Sequence, residues 1–137
     1  MLQIETISNA YSFYSYDEHS AQLIKPNRNI NSTESTEDDF LTLKNTSLIF
    51  KDQYTQSHFP EQFKQFDQQC IEALQQYDAD IYLIGTGGTT RFPDKEILQS
   101  IQHNKLAIDF MDNGAACRTF NILTSEFRKV AVLLFFK

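Results

Sequence analysis

Apolar residues in this chain come in two patterns that meet near residue 60. Ahead of that point they form short aromatic or β-branched runs: Tyr11-Ser12-Phe13-Tyr14-Ser15-Tyr16, Gln22-Leu23-Ile24-Lys25 and Ser47-Leu48-Ile49-Phe50. Runs of this kind predict strands, arranged as an antiparallel meander. Between them, residues 27–39 are polar and acidic, and predict an exposed loop. Beyond residue 60, helical and strand-sized patterns alternate. Pro60 opens a predicted helix that carries Phe63, Phe66, Cys70 and Leu74 on one stripe, with Ile71 beside them. Ile81-Tyr82-Leu83-Ile84 is a buried-strand pattern closed by Gly85. A second helix starts at Pro93-Asp94, turns Ile97, Leu98 and Ile101 inward, and stops near His103-Asn104. Leu106 to Phe110 is the next strand; Asp112 then caps a helix from Gly114 to about Phe127, whose apolar face includes Phe120, Leu123 and Phe127. Val130 to Phe136 is the last strand.

Strand–helix–strand units favour parallel strands joined by right-handed crossovers. The expected fold is therefore α/β: a three-layer domain with a mixed central sheet and an N-terminal antiparallel extension, formed by residues 1–137 as one unit. If strands 81–84 and 106–110 are parallel, the loops that follow them leave from the same sheet edge, where open α/β sheets hold ligands. This gathers Gly85, Thr86, Gly87, Arg91, Asp112, Cys117, Arg118 and Asn121 into a candidate ligand-binding patch.

Each member also has a structural explanation. The loop Gly85-Thr86-Gly87-Gly88 lacks the Lys-Ser/Thr of a phosphate loop and the third glycine of a dinucleotide fingerprint. Asp94 and Glu96 in the first turn after it suit the helix dipole but compete with a bound phosphate. Cys117 has no base within reach in sequence, because His103 precedes its strand and belongs at the opposite edge. Arg118 is placed to pair with Asp109 or Asp112, or to face the cleft. No group of residues has metal-ligand spacing and no Gly-x-Ser-x-Gly elbow occurs, so neither a metal, a cofactor nor a catalytic residue is assigned.

Composition narrows the class further. The 137 residues include 12 Phe and 6 Tyr, ample for a core without disulfides. A net charge of −6 with scattered basic residues disfavours nucleic acid and anionic membranes. Cys70 and Cys117 form no redox or zinc pattern. No run is long enough to span a bilayer as a helix, and the first residues do not read as a leader, so the expected address is the cytoplasm.

Four pieces of the C-terminal half form a more specific pattern. They are Gly85-Thr86-Gly87, Phe92-Pro93, Met111-Asp112 and Ala116-Cys117-Arg118-Thr119-Phe120-Asn121-Ile122-Leu123. In that order they resemble the family of the mitochondrial NADH dehydrogenase (respiratory complex I) assembly factor three and the adipogenesis-associated domain protein, which also has many short bacterial and archaeal members. The likeness covers residues 80–136 well and the earlier part loosely. It implies an α/β domain with no established enzymatic activity that works through a protein partner, here a cytoplasmic bacterial member. The alternative left by the residues themselves is a small-molecule site, for an anion, or an enzyme at the glycine-loop edge. A third reading, a thiol enzyme or redox sensor, would use Cys117.

Overall fold

The computed structural model describes residues 9–26 and 37–137. Most of the polar segment 27–39 therefore lies outside the described residues, apart from a 3-10 turn at Glu37–Asp39.

The centre of the molecule is a five-stranded mixed sheet, in the order β5 (Gln53–Thr55), β4 (Ser47–Phe50), β8 (Val130–Leu134), β6 (Ile81–Gly85) and β7 (Ile108–Met111). β6 is parallel to both neighbours, with Gly85 aligned to Met111 and to Leu134. β4 and β5 form the antiparallel extension. All residues of β8 and β4 are buried. That burial explains their run-like sequences, since a strand covered on both faces needs no polar alternation.

It also explains a departure from the expected meander. Residues 47–50 do not join the two earlier strands; they pair with β8 instead. β1 (Ser12–Tyr16), β2 (Ala21–Ile24) and β3 (Phe40–Leu43) make a separate antiparallel sheet. β3 and β5 were not predicted.

Helices cover both faces of the central sheet. α1 (Gln68–Leu74) and α2 (Lys95–His103) lie on one face, where Phe63, Phe66, Ile71, Leu74 and Ile101 pack against Ile84, Leu133 and Phe135. α3 (Asn113–Ser125) lies on the other. Its Ala116, Cys117 and Phe120 share a core with Leu83, Val132 and Leu134 of the central sheet and with Phe13 and Leu23 of the small one. Phe13 and Phe120 meet edge to face at 5.4 Å.

Three local expectations are corrected. The first helix does not run on from Pro60. Phe63–Gln65 is a 3-10 turn, Phe66 is extended, and α1 starts only after Asp67, whose carboxylate accepts from the Cys70 N–H at 3.1 Å. Competition from this capping aspartate breaks the stripe although its apolar members are buried. Leu98 is exposed, because α2 packs through Ile101 and, in part, Ile97. Phe127 is 95 % exposed and lies beyond α3, so it is no part of that helix's apolar face.

Candidate functional site

The parallel register brings three exits to one edge: the loop from Thr86 to Asp94, the Asp112 cap of α3, and the segment after β8. The glycine loop is tied there by side chains. Thr86 is buried; its Oγ1 donates to the Thr89 carbonyl at 2.7 Å and accepts from the Arg91 N–H at 2.9 Å. Arg91 folds back on the same residue, donating through Nε and Nη2 to the Thr86 carbonyl at 2.9 and 2.7 Å. The guanidinium also sits 5.1 Å from the centre of the Phe63 ring.

Asn113 joins the three exits, and sequence reasoning missed it. Its N–H donates to the Gly87 carbonyl at 2.9 Å, and its Oδ1 accepts from the Gly87 N–H at 3.0 Å. Its Nδ2 donates to the Phe135 carbonyl at 2.9 Å. At 2 % exposure this amide satisfies backbone groups that water cannot reach. A Cβ on Gly85 would collide with the Asn113 side chain and come within 2.5 Å of Leu134, so that glycine is needed for close approach. Gly87 has φ +100°, the second glycine with a backbone reason. The only sequence signal for Asn113 is an amide directly after a capping aspartate.

The other candidates separate. Asp112 caps α3, accepting from the Ala115 N–H at 2.8 Å. Cys117 is fully buried, and burial pushes its thiol up to about 12, away from nucleophilic use. Arg118 pairs with neither Asp109 nor Asp112. It donates to the Tyr16 hydroxyl at 2.8 Å, a bond that raises its pKa further. Tyr16 reaches it because β1 is irregular between Phe13 and Ser15, so Phe13 and Tyr16, three apart, both contact α3. Asn121 closes the edge of β1: its Oδ1 accepts from the Phe13 N–H at 2.8 Å and its Nδ2 donates to the Phe13 carbonyl at 2.9 Å.

A cavity of about 280 Å³ does open at this edge. Thr86, Gly87 and Arg91 line it, whereas Gly85, Asp112, Cys117, Arg118 and Asn121 do not. Its other walls are Gly88, Thr89, Phe136, Lys137 and the unforeseen Glu18 and His19. The β1–β2 turn carries those two across the glycine loop. Asp17 Oδ1 shapes that turn by accepting from the His19 and Ser20 N–H groups at 2.7 and 2.8 Å, which holds its carboxyl below the usual range. His19 Nε2 lies 3.3 Å from Glu18 Oε1. Among the described residues, no His, Cys, Asp and Glu cluster is placed to hold a metal, and no helix is long and apolar enough to cross a membrane.

Comparison with known proteins places the chain in a family and its fold among solved structures. The chain is 38 % identical over 55 residues to the 13 kDa major membrane protein of Francisella tularensis subsp. holarctica, a match to 40 % of this chain and 45 % of that one. It is 34 % identical over 55 residues to NADH dehydrogenase [ubiquinone] 1 alpha subcomplex assembly factor 3 of Danio rerio, over 40 % of this chain and 32 % of that one. The chain thus spans less than half the length of these curated relatives. Its fold is that of a Xanthomonas campestris protein solved by NMR, with a TM-score of 0.71 at 22 % identity over 98 % of this chain and 90 % of that one. A Bordetella pertussis protein described as a Mth938-like domain matches with a TM-score of 0.63 at 16 % identity, over 98 % and 91 %. The family model described as protein of unknown function (DUF498/DUF598) matches residues 29–135, and the chain belongs to that family.

Proposed function

We propose that this domain acts through protein contacts rather than turnover, in the assembly of a membrane-associated respiratory complex. The observation that carries this reading is the internal use of the carboxyl edge. Arg91 and Asn113 serve backbone groups of their own chain there, Asn121 does so at the edge of β1, and the Cys117 thiol is buried. The likeness to the zebrafish assembly factor supplies the process. Tyr16, Arg118 and Ile122, on β1 and successive turns of α3, offer a contact surface; Ile122 is 58 % exposed. Tyr and Arg are types that anchor protein interfaces. The proposed address is the cytoplasm, with the complex met at the membrane surface.

The test is a deletion strain complemented with wild type or with Ile122→Glu, a change the exposed position tolerates without unfolding. Native gels and NADH–quinone reductase activity should show less assembled complex in the deletion strain, restored by wild type and not by the variant. Unchanged complex levels in the deletion strain would sink the proposal. Fractionation of the same cells checks the address.

A second reading is a small-molecule binding protein or enzyme with an anion site at this edge. The cavity at the glycine loop is the observation behind it; the two cations in its wall, Arg91 and Lys137, are held by the Thr86 carbonyl and by Glu61.

A further inference from the structure

We infer that the outer edge of β7 takes an extended segment of a partner protein as an added strand, and that this segment carries a basic residue between two apolar ones. The inference rests on the protein-contact reading above and names the form and charge of the partner. β7 ends the central sheet on one side. Its bonds to β6 fix which way each backbone group points. The Tyr82 N–H donates to the Ala107 carbonyl and the Thr86 N–H to the Met111 carbonyl, both at 2.8 Å, in a parallel register that sets Ile108 opposite Tyr82 and Phe110 opposite Ile84. In such a ladder, residues that bond one neighbour alternate with residues that face the other side. Residues 107, 109 and 111 therefore serve β6, and the N–H and C=O of Ile108 and Phe110 point outward. Among the described residues no strand lies beyond them. An unpaired edge of this kind is a template for strand addition. The Asn121 side chain closes β1 at Phe13, and among the described residues no side chain does the same for β7.

The flanks of that edge define the occupant. On the α2 face, Ile108 and Phe110 join the core, and Phe92, 63 % exposed, sets its ring 6.3 Å from that of Phe110. Apolar side chains of an added strand, paired with Ile108 and Phe110, fall on that same face and cover the aromatic surface. On the other face Asp109 is exposed, and among the described residues its carboxylate has no ion-pair or hydrogen-bond partner. The same aspartate excludes a second copy of the chain. The antiparallel self-pairing that uses the outward groups of both residues sets Ile108 opposite Phe110, and Asp109 opposite its own counterpart at about 4.5 Å between Cα atoms. Like charges directly opposite destabilise a sheet. Self-pairing centred on Ile108 brings Phe110 against Leu106, whose N–H is already given to the Ile101 carbonyl; centred on Phe110, it brings Ile108 against Asp112, whose carbonyl already accepts from the Ala116 N–H. A net charge of −6 adds to the repulsion. A lysine or arginine opposite Asp109 turns the same geometry into an attraction. The occupant is thus a strand of a different protein with the pattern apolar–basic–apolar.

The experiment uses the full chain at low salt. Alone, it should sediment as a monomer whose Ile108 and Phe110 amides exchange quickly with solvent. A dimer protected at those amides assigns the edge to a second copy, and a monomer protected there has no open edge; either result overturns the proposal. An acetylated, amidated Thr-Val-Lys-Val-Thr peptide should give saturable ¹⁵N NMR shifts of both amides in the millimolar range, about fivefold tighter than Thr-Val-Glu-Val-Thr. N-methylation of its valines, which removes the donors facing β7, should abolish binding. Asp109→Lys should reverse the preference and keep the melting temperature, because the position is exposed. No saturation, equal binding of the Lys and Glu peptides, or full binding by the N-methylated peptide overturns the proposal. In the deletion strain, Asp109→Lys should fail to restore the complex. Restoration by this variant overturns the added strand and leaves the assembly reading standing. Unchanged complex in the deletion strain sinks the assembly reading, and the peptide titration then decides the strand by itself.

Discussion

Phe127 is predicted to be a residue whose removal stabilises the protein. α3 ends in a Schellman motif: with Glu126 at the C-cap, the Phe127 N–H donates to the Thr124 carbonyl and the Arg128 N–H to the Leu123 carbonyl, both at 3.0 Å. This motif requires a left-handed residue at position 127, and Phe127 has φ 62°. Glycine is the usual occupant, but all four glycines of the chain stand elsewhere, at 85, 87, 88 and 114. α2 ends in the same way on Lys105, at φ 53°. A left-handed conformation costs an L-residue about 1–2 kcal/mol. The greater freedom of glycine in the unfolded chain returns about 0.5–1 kcal/mol of that. Phe127 is 95 % exposed, so truncation forfeits almost no burial. Phe127→Gly should therefore raise stability by about 0.5–1 kcal/mol, or roughly 2–5 °C in Tm for a chain of this size. Phe127→Ala, which keeps the Cβ, should stay close to wild type. Urea melts should show a shifted midpoint with an unchanged slope. If the glycine variant is no more stable than the alanine variant, backbone strain is the wrong account of this helix end.

Asn113→Ala should destabilise by roughly 2–4 kcal/mol, because it leaves the buried Gly87 N–H and Phe135 carbonyl without their partner; a urea melt reads the loss, and hydrogen exchange should quicken first at Gly87. Cys117 should make the fold sensitive to alkali. Its folded thiol stays protonated up to about 12 because of burial, whereas an unfolded thiol ionises from about 8.5. Its contribution is therefore complete below about pH 8.5 and is lost as pH rises toward 12. At about pH 10 that loss amounts to roughly 1.5–2 kcal/mol, so Cys117→Ala should show an alkaline loss smaller by that amount when urea midpoints at neutral and alkaline pH are compared, the remainder coming from Cys70, whose thiol burial pushes up to about 11.

The C-terminal half was legible because its residues act locally. Pro93, Asp94 and Asp112 mark helix starts, and the fully apolar runs at 81–84 and 130–134 have the signature of strands covered on both faces. The shared exit edge followed from the parallel pairing that strand–helix–strand units favour. Phe63 to Leu74 misled for the opposite reason. Burial of those residues is real, but apolar spacing reports which residues are inside, not whether the backbone between them is helical, and Asp67 decided the backbone.

What the sequence determined, then, is the α/β order of the C-terminal elements, the parallel sense expected of their strands and the loops that share an edge. What only tertiary structure decided is the use of each polar group there. Asn121 was placed in a ligand patch and instead closes the edge of β1; Asn113 was left out of that patch and ties three segments together; Glu18 and His19, some seventy positions from the glycine loop, form its opposite wall. The reason is range. Hydrophobic period and capping are written within a few neighbouring residues, whereas the partner of a side-chain amide or carboxylate is set by how separate sheets and helices pack, which no local pattern records.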